Sequence, residues 1–191
     1  MKKSIIPEGQ VGDWKIEKFT VAEEEAKFNN IHATFSFSDR GRFIKAGEYT
    51  RLKRNGVVVM SDTPAELSDF KYFIHQAKGK ILLNGLGLGC VLQNLLEKQD
   101  VTQIIVNEIS EEVIQLVGKH FKDKRLTINH ADAFIWRPPD GLHFNYIYHD
   151  IWDDLCADNL SEMKTLHRKY GKWTDNQFSW GRDYIEVYLR R

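Results

Sequence analysis

The segment Ile81-Leu82-Leu83-Asn84-Gly85-Leu86-Gly87-Leu88-Gly89 joins a short apolar run to a glycine-rich turn. Such a turn, leaving a strand and opening a helix, lets backbone approach a ligand closely and sets helix N-terminal amides beneath it. Glycine turns also serve as plain tight turns, so the acid that follows is more informative. Glu108 closes the next apolar segment, Val101 to Glu108, where a carboxylate can accept both ribose hydroxyls of a nucleoside, or simply end a solvated strand. Asp132-Ala133 follow the third apolar segment; Asp132 could bond the amino edge of an adenine, or act as a loop acid or helix cap. His149-Asp150 close the fourth. A carboxylate at that edge faces the reacting end of a ligand, where it could orient or deprotonate an acceptor. His149 reads equally as a packed strand residue.

Spacing narrows the nucleoside. A dinucleotide fingerprint needs glycine or alanine three positions after Gly87, and that position is Cys90; no GxxxxGK[ST] phosphate loop occurs either. A nucleoside whose linker carries no phosphate fits better. Asp150, Asp153 and Asp154 could gather a hard cation, although Asp153 and Asp154 also suit the N-terminus of a following helix, and no metal is expected. Arg40, Arg42, Lys45, Arg51, Lys53 and Arg54 form a basic run that could dock an anion or a nucleic-acid backbone, or be a solvated hairpin face.

These residues must be held by alternating strands and helices. Thr63-Pro64-Ala65-Glu66 has the form of a capping box with proline at the first helical position, predicting a helix from Pro64 to about Gln76. Strands are then expected at Lys80–Leu83, Val101–Glu108, Leu126–Asn129 and Phe144–His149, with helices at Cys90–Glu97, Glu111–His120 and Asn159–Tyr170. Right-handed crossovers give these four strands the order 3-2-1-4 in a mostly parallel, Rossmann-like α/β sheet that is short at its C-terminal side. Trp180–Leu189 fits both helical and strand periods and is read as helix. Residues 1–62 read differently, as an antiparallel β-meander with strands at Trp14–Val21, Ile31–Phe37, Arg42–Lys45, Tyr49–Lys53 and Val57–Met60. Asn55-Gly56 marks a two-residue hairpin, since both turn positions need positive φ. Two domains are therefore expected, residues 1–62 and 63–191.

Composition bounds the partners. The 191 residues carry 27 Lys+Arg against 27 Asp+Glu, so no chain-wide cationic field exists to hold nucleic acid or an anionic membrane. Two cysteines cannot staple a secreted scaffold, and no apolar run is long enough to span a bilayer, so a soluble cytoplasmic protein is expected.

The glycine motif, the strand ending in Glu108, Asp132-Ala133 and Asp150, in this order after an N-terminal β-meander, resemble the class I S-adenosylmethionine-dependent methyltransferase fold and, within it, the spermidine-synthase-like branch. The likeness runs over about residues 42–155. It implies S-adenosylmethionine as cofactor, with Gly85, Gly87 and Gly89 around its methionine part and Glu108 on its ribose. Ile109 and Ala133 would bracket the adenine, with Asp132 on its edge, and Asp150 would act on a small-molecule acceptor. Three departures stand out. Leu88 replaces the acid that holds an aminopropyl donor's free amine, Thr63-Pro64-Ala65-Glu66 replaces a Tyr and a His near the diamine, and the sheet is short. The expected function is methyl transfer, with aminopropyl transfer or a non-catalytic binding module as alternatives. The apolar stretch Trp173–Leu189 should either cover the exposed sheet edge or meet a second copy, and the branch's dimeric habit implies a homodimer.

Overall fold

A computed structural model of the chain describes residues 1–35 and 42–189; of the basic run, Arg40 lies outside them. The N-terminal part holds strands β1 (Gly9–Val11), β2 (Trp14–Val21), β3 (Gly47–Arg54) and β4 (Val57–Ser61), paired antiparallel in sequence order, with helix α1 (Glu23–Phe35) between β2 and β3. The expected strand over Ile31–Phe37 is thus a helix as far as residue 35, and residues 36–37 lie outside the described segment. Glu23, Glu24 and Glu25 in its first turn complement the helix dipole, and Ala26 and Ala33, seven apart, are its buried contacts. Arg42–Lys45 is irregular rather than a strand. The hairpin falls where expected, with Asn55 at φ 50° and Gly56 at φ 81° between the paired Arg54 and Val57.

Helix α2 (Pro64–Gln76) follows with proline in its first turn, but the capping box is displaced. The Thr63 side chain caps nothing; instead Glu66 turns back past it to accept from the Ser61 amide (2.7 Å) and hydroxyl (2.6 Å). The second sheet comprises β5 (Gly79–Asn84), β6 (Val101–Glu108), β7 (Leu126–His130), β8 (Tyr146–His149) and β9 (Gln177–Ser179), all parallel, in the order β7-β6-β5-β8-β9. The first four strands therefore stand in the expected order, and β9 extends the edge beside β8. Between them run α3 (Cys90–Leu96), α4 (Glu111–Leu116) with a 3₁₀ turn at Gly118–His120, and α5 (Asn159–Tyr170); a short helical turn α6 (Arg182–Tyr184) and a π-helical turn (Ile185–Leu189) close the described chain.

Alternation along the parallel strands divides the core. Ile81, Leu83, Ile104, Val106 and Tyr148 face α2 and α3 and share one cluster with Ile16, Leu52 and Met60 of the antiparallel sheet. Leu82, Ile105 and Ile147 face the opposite way, onto Leu166 and Tyr170 of α5. The C-terminal segment folds back over the open edge, since Phe178 pairs with Tyr148 in the sheet and Phe178 and Trp180 pack on the first cluster. Among the described residues no helix is long and apolar enough to cross a membrane.

Candidate functional site

A crevice of about 290 Å³ opens at the C-terminal ends of β5, β6 and β8, and residues of the β-hairpin β3–β4 form its far wall. Of the residues singled out in the sequence, Gly85, Gly87, Glu108, Ile109, Asp132, Ala133 and Asp150 line it together, and Gly89 does not. Gly89 sits at φ 72° before α3, where a Cβ would lie 2.6 Å from the Phe121 ring. The tight approach at Gly85 is to the protein itself: at φ 101° it lets β5 and β8 close on one another, and a Cβ there would overlap the carbonyl oxygen of Asp150.

Glu108 is 8 % exposed, and each carboxylate oxygen accepts one main-chain amide, Oε2 from Leu86 (2.8 Å) and Oε1 from Ser110 (2.9 Å). The carboxylate thereby ties the glycine turn to β6 and keeps further lone pairs toward the crevice. Burial pushes its pKa up, against the lowering pull of those amides. Ile109, next in sequence, is 66 % exposed at the crevice wall, an apolar surface left for something to cover. Asp132 accepts from the Phe134 amide (2.7 Å) in a loop turn, and Ala133 is a buried member of the second core as well as part of the wall.

Asp150 forms no hydrogen bond through its carboxyl among the described residues. Desolvation, with Glu66, Asp69 and Glu108 adding negative charge around it, raises its pKa from 3.8 to about 8. His149 is no base for the crevice. It is fully buried against the His167 and Tyr170 rings of α5, does not line the crevice, and burial holds its pKa down to about 3.

Other wall residues come from outside the parallel strand ends. Trp14, Leu52, Arg54 and Val59 reach the crevice from the antiparallel sheet, and Arg54 pairs with Asp153 across it while lying over the Trp14 ring. Trp152 donates to Glu162 of α5 (2.7 Å). Asp158, not Asp153 or Asp154, holds the N-cap position of α5; Asp153 pairs with Arg54, and the Asp154 main-chain carbonyl accepts from the Asn159 side chain (2.8 Å). Among the described residues no group of three or more His, Cys, Asp or Glu side chains is placed to share a metal ion. Four members of the basic run are paired: Arg42 with Asp69, Arg51 and Lys53 both with Glu17, and Arg54 with Asp153. Glu17, held also by Lys15, is drawn down to about 2.

No family model matches the sequence, and no curated protein matches it. Solved structures do resemble the fold. Spermidine synthase from Thermotoga maritima superposes with a TM-score of 0.52 over 90 % of this chain and 53 % of its own, at 16 % identity. The plantazolicin methyltransferase BpumL in complex with SAH gives 0.44 over 63 % of this chain and 48 % of its own, at 15 % identity. A spermidine synthase in complex with the transition-state analogue AdoDATO gives 0.44 over 80 % and 47 %, at 17 % identity. The chain thus spans about half the length of these structures. Its fold is the class I S-adenosylmethionine-dependent methyltransferase fold, a Rossmann-like parallel sheet preceded by a small antiparallel one.

Proposed function

We propose that the crevice binds S-adenosylmethionine and that the protein transfers its methyl group to a small-molecule acceptor. One observation carries the reading: a buried carboxylate at the end of β6, Glu108, stands beside an exposed apolar wall, Ile109, in one crevice with a second carboxyl, Asp150, at the end of β8. The residues fit the cofactor. Glu108 has acceptor capacity left for ribose hydroxyls, Ile109 and Ala133 offer apolar faces for a base, and Asp132 offers a carboxylate at its edge. When bound, the sulfonium supplies an electrophilic methyl carbon. The chain's part is then to hold the acceptor in line with that carbon and to receive its proton, which Asp150 can do as a carboxylate. A cation brought beside Asp150 favours that ionised form. With the cofactor held by Glu108, Ile109, Asp132 and Ala133, its sulfonium would supply the methyl group and keep the electron pair of the carbon–sulfur bond, and Asp150 would receive the acceptor's proton.

A second reading, aminopropyl transfer, has one feature in its favour. The crevice lining holds Glu108, Asp132, Asp150, Asp153 and Glu162 against Arg54 alone, a balance that favours a donor without a carboxylate group. Against it, Leu88 is fully buried in the core and grips no amine. Incubation with labelled S-adenosylmethionine, or its decarboxylated form, and a metabolite extract separates the readings by product. A protein that binds either cofactor without forming product is the non-catalytic alternative.

The ribose role makes a direct demand. Glu108→Ala should weaken S-adenosylhomocysteine binding by about 1.5–3 kcal/mol for each charged hydrogen bond removed, as read by calorimetry on protein whose circular dichroism is unchanged. Equal affinity in the variant, or tight binding of NADH in place of the nucleoside, would contradict the assignment.

A further inference from the structure

A run of polar side chains crosses the parallel strands beneath the crevice, and the crevice chemistry does not use it. Asn129 Nδ2 donates to Asn107 Oδ1 (3.0 Å), and Asn107 Nδ2 to Asn84 Oδ1 (2.9 Å). Asn84 Nδ2 lies 2.9 Å from His149 Nδ1, His149 Nε2 lies 3.2 Å from Gln177 Oε1, and Gln177 Nε2 donates to the main-chain carbonyl of His167 (2.9 Å). The five residues come from β7, β6, β5, β8 and β9, every strand of the sheet. Asn84 is the register partner of both Asn107 and His149, and Asn107 of Asn129. Asn84 and His149 are fully buried and Asn107 is 1 % exposed, so each needs its partners in place.

The direction of this run follows from its last acceptor. His167 lies in the final turn of α5, where main-chain carbonyls lack helical partners, and only a donor can face a carbonyl. Gln177 must therefore present Nε2 to it and Oε1 to His149. That requires a proton on His149 Nε2. Nδ1, facing the Asn84 amide, then accepts, which leaves Asn84 Oδ1 for Asn107 and Asn107 Oδ1 for Asn129. Reversing any amide sets donor against donor or acceptor against acceptor.

We infer that these five side chains act as one polarised unit, set in direction by the His167 carbonyl, that holds His149 as a neutral imidazole protonated on Nε2 and positions the crevice residues that follow it in sequence. Gly85 follows Asn84, Glu108 follows Asn107 and Asp150 follows His149, so displacing any of these three displaces a strand end that lines the crevice, and Asn129 and Gln177 act on it through them. The groups around His149 keep it neutral. The His167 and Tyr170 rings of α5 lie 5.4 and 5.5 Å from it, and Arg182 sits on His167 Nδ1 (3.0 Å), leaving no acid against it among the described residues. The members are positioning residues, and their effect on affinity rests on the cofactor reading above, whereas the proton placement does not.

Nitrogen NMR of the full chain with labelled histidine, at neutral pH, tests the proton directly, the His149 signals being those lost in His149→Gln. The wild type should show the Nε2–H tautomer. Asn84→Asp, which turns an acceptor toward Nδ1, should convert His149 to the doubly protonated imidazolium. Gln177→Leu, outside the crevice lining, should weaken S-adenosylhomocysteine binding roughly tenfold. An Nδ1–H tautomer in the wild type, or a neutral His149 in folded Asn84→Asp, overturns the polarised unit, and unchanged affinity in Gln177→Leu overturns the positioning. If Asn84→Asp does not fold, the wild-type tautomer still decides. If the wild type binds no S-adenosylhomocysteine, the cofactor reading falls and the tautomer alone judges the unit.

Discussion

Replacing Gly85 by alanine should lower the unfolding midpoint by about 4–20 °C, from a stability loss of about 2–5 kcal/mol in a chain of this size. Two costs combine. Gly85 sits at φ 101°, a conformation that charges a residue with a Cβ roughly 1–2 kcal/mol or more. The Cβ would also overlap the carbonyl oxygen of Asp150, which cannot swing aside, because the Asp150 amide is bonded to the Asn84 carbonyl (2.8 Å) and the adjoining strands are in register. Overpacking of that kind costs about 1–3 kcal/mol. Gly141→Ala separates the terms: Gly141 has φ 76° with open space where its Cβ would go, so it bears the backbone cost alone. Thermal melts of the two variants should differ by the overlap. Equal midpoints would show that the β5 and β8 ends can part, and the crevice floor would not be the rigid junction described.

The second large effect is the proton on Asp150. Its pKa is raised from 3.8 to about 8, so over that interval the folded protein holds a proton that the unfolded chain has released. The stability tied to that proton is complete below about pH 4 and is lost as pH rises through about 8. His149 and His167, lowered from 6.5 to about 3 and about 4, act in the other sense, their contribution being lost as pH falls below 6.5. Their opposing change is half complete at pH 6.5 and fades over roughly one further pH unit. Raised Glu66 and Glu108 act in the same direction as Asp150 wherever they titrate. Discounting the full 1.4 kcal/mol per pH unit for the solvent that reaches Asp150 from the crevice leaves about 1 kcal/mol per unit. Denaturant unfolding should therefore show the wild type losing up to about 1 kcal/mol of stability between pH 7 and 8, and Asp150→Asn should remove most of that loss. A variant that keeps the whole slope would place the raised group elsewhere. S-adenosylmethionine should in turn bind the wild type more tightly as pH rises over this range, because its cation favours the ionised carboxyl.

The sequence by itself determined the parallel sheet, its strand order and most of the crevice. Val101–Glu108 and Tyr146–His149 are near-continuous β-favouring runs that only a sheet covered on both faces can bury, and the helical stretches between them force right-handed crossovers. Gly85, Glu108, Asp132 and Asp150 stand at the ends or exits of those runs, so the topology alone brings them to one edge. Asn55-Gly56 specified its hairpin because φ is positive at both positions. Other features were settled only in three dimensions. Ile31–Phe35 is helical although its residue types favour strands, because strand preference is a fit to a half-buried pleated surface and only small Ala26 and Ala33 are buried on α1. Strand β9 has three residues, all half-buried, too short to show a period, and it exists because the open edge of β8 offers unpaired main-chain groups. Thr63 lost its capping role because Glu66 found the Ser61 amide and hydroxyl within reach. The run from Asn129 to Gln177, the acids around Asp150 and the wall from Trp14 to Arg54 join residues far apart in the chain. Hydrogen bonds and charges act over a few ångströms of space, and distance in space between such residues is decided by packing rather than by any local pattern.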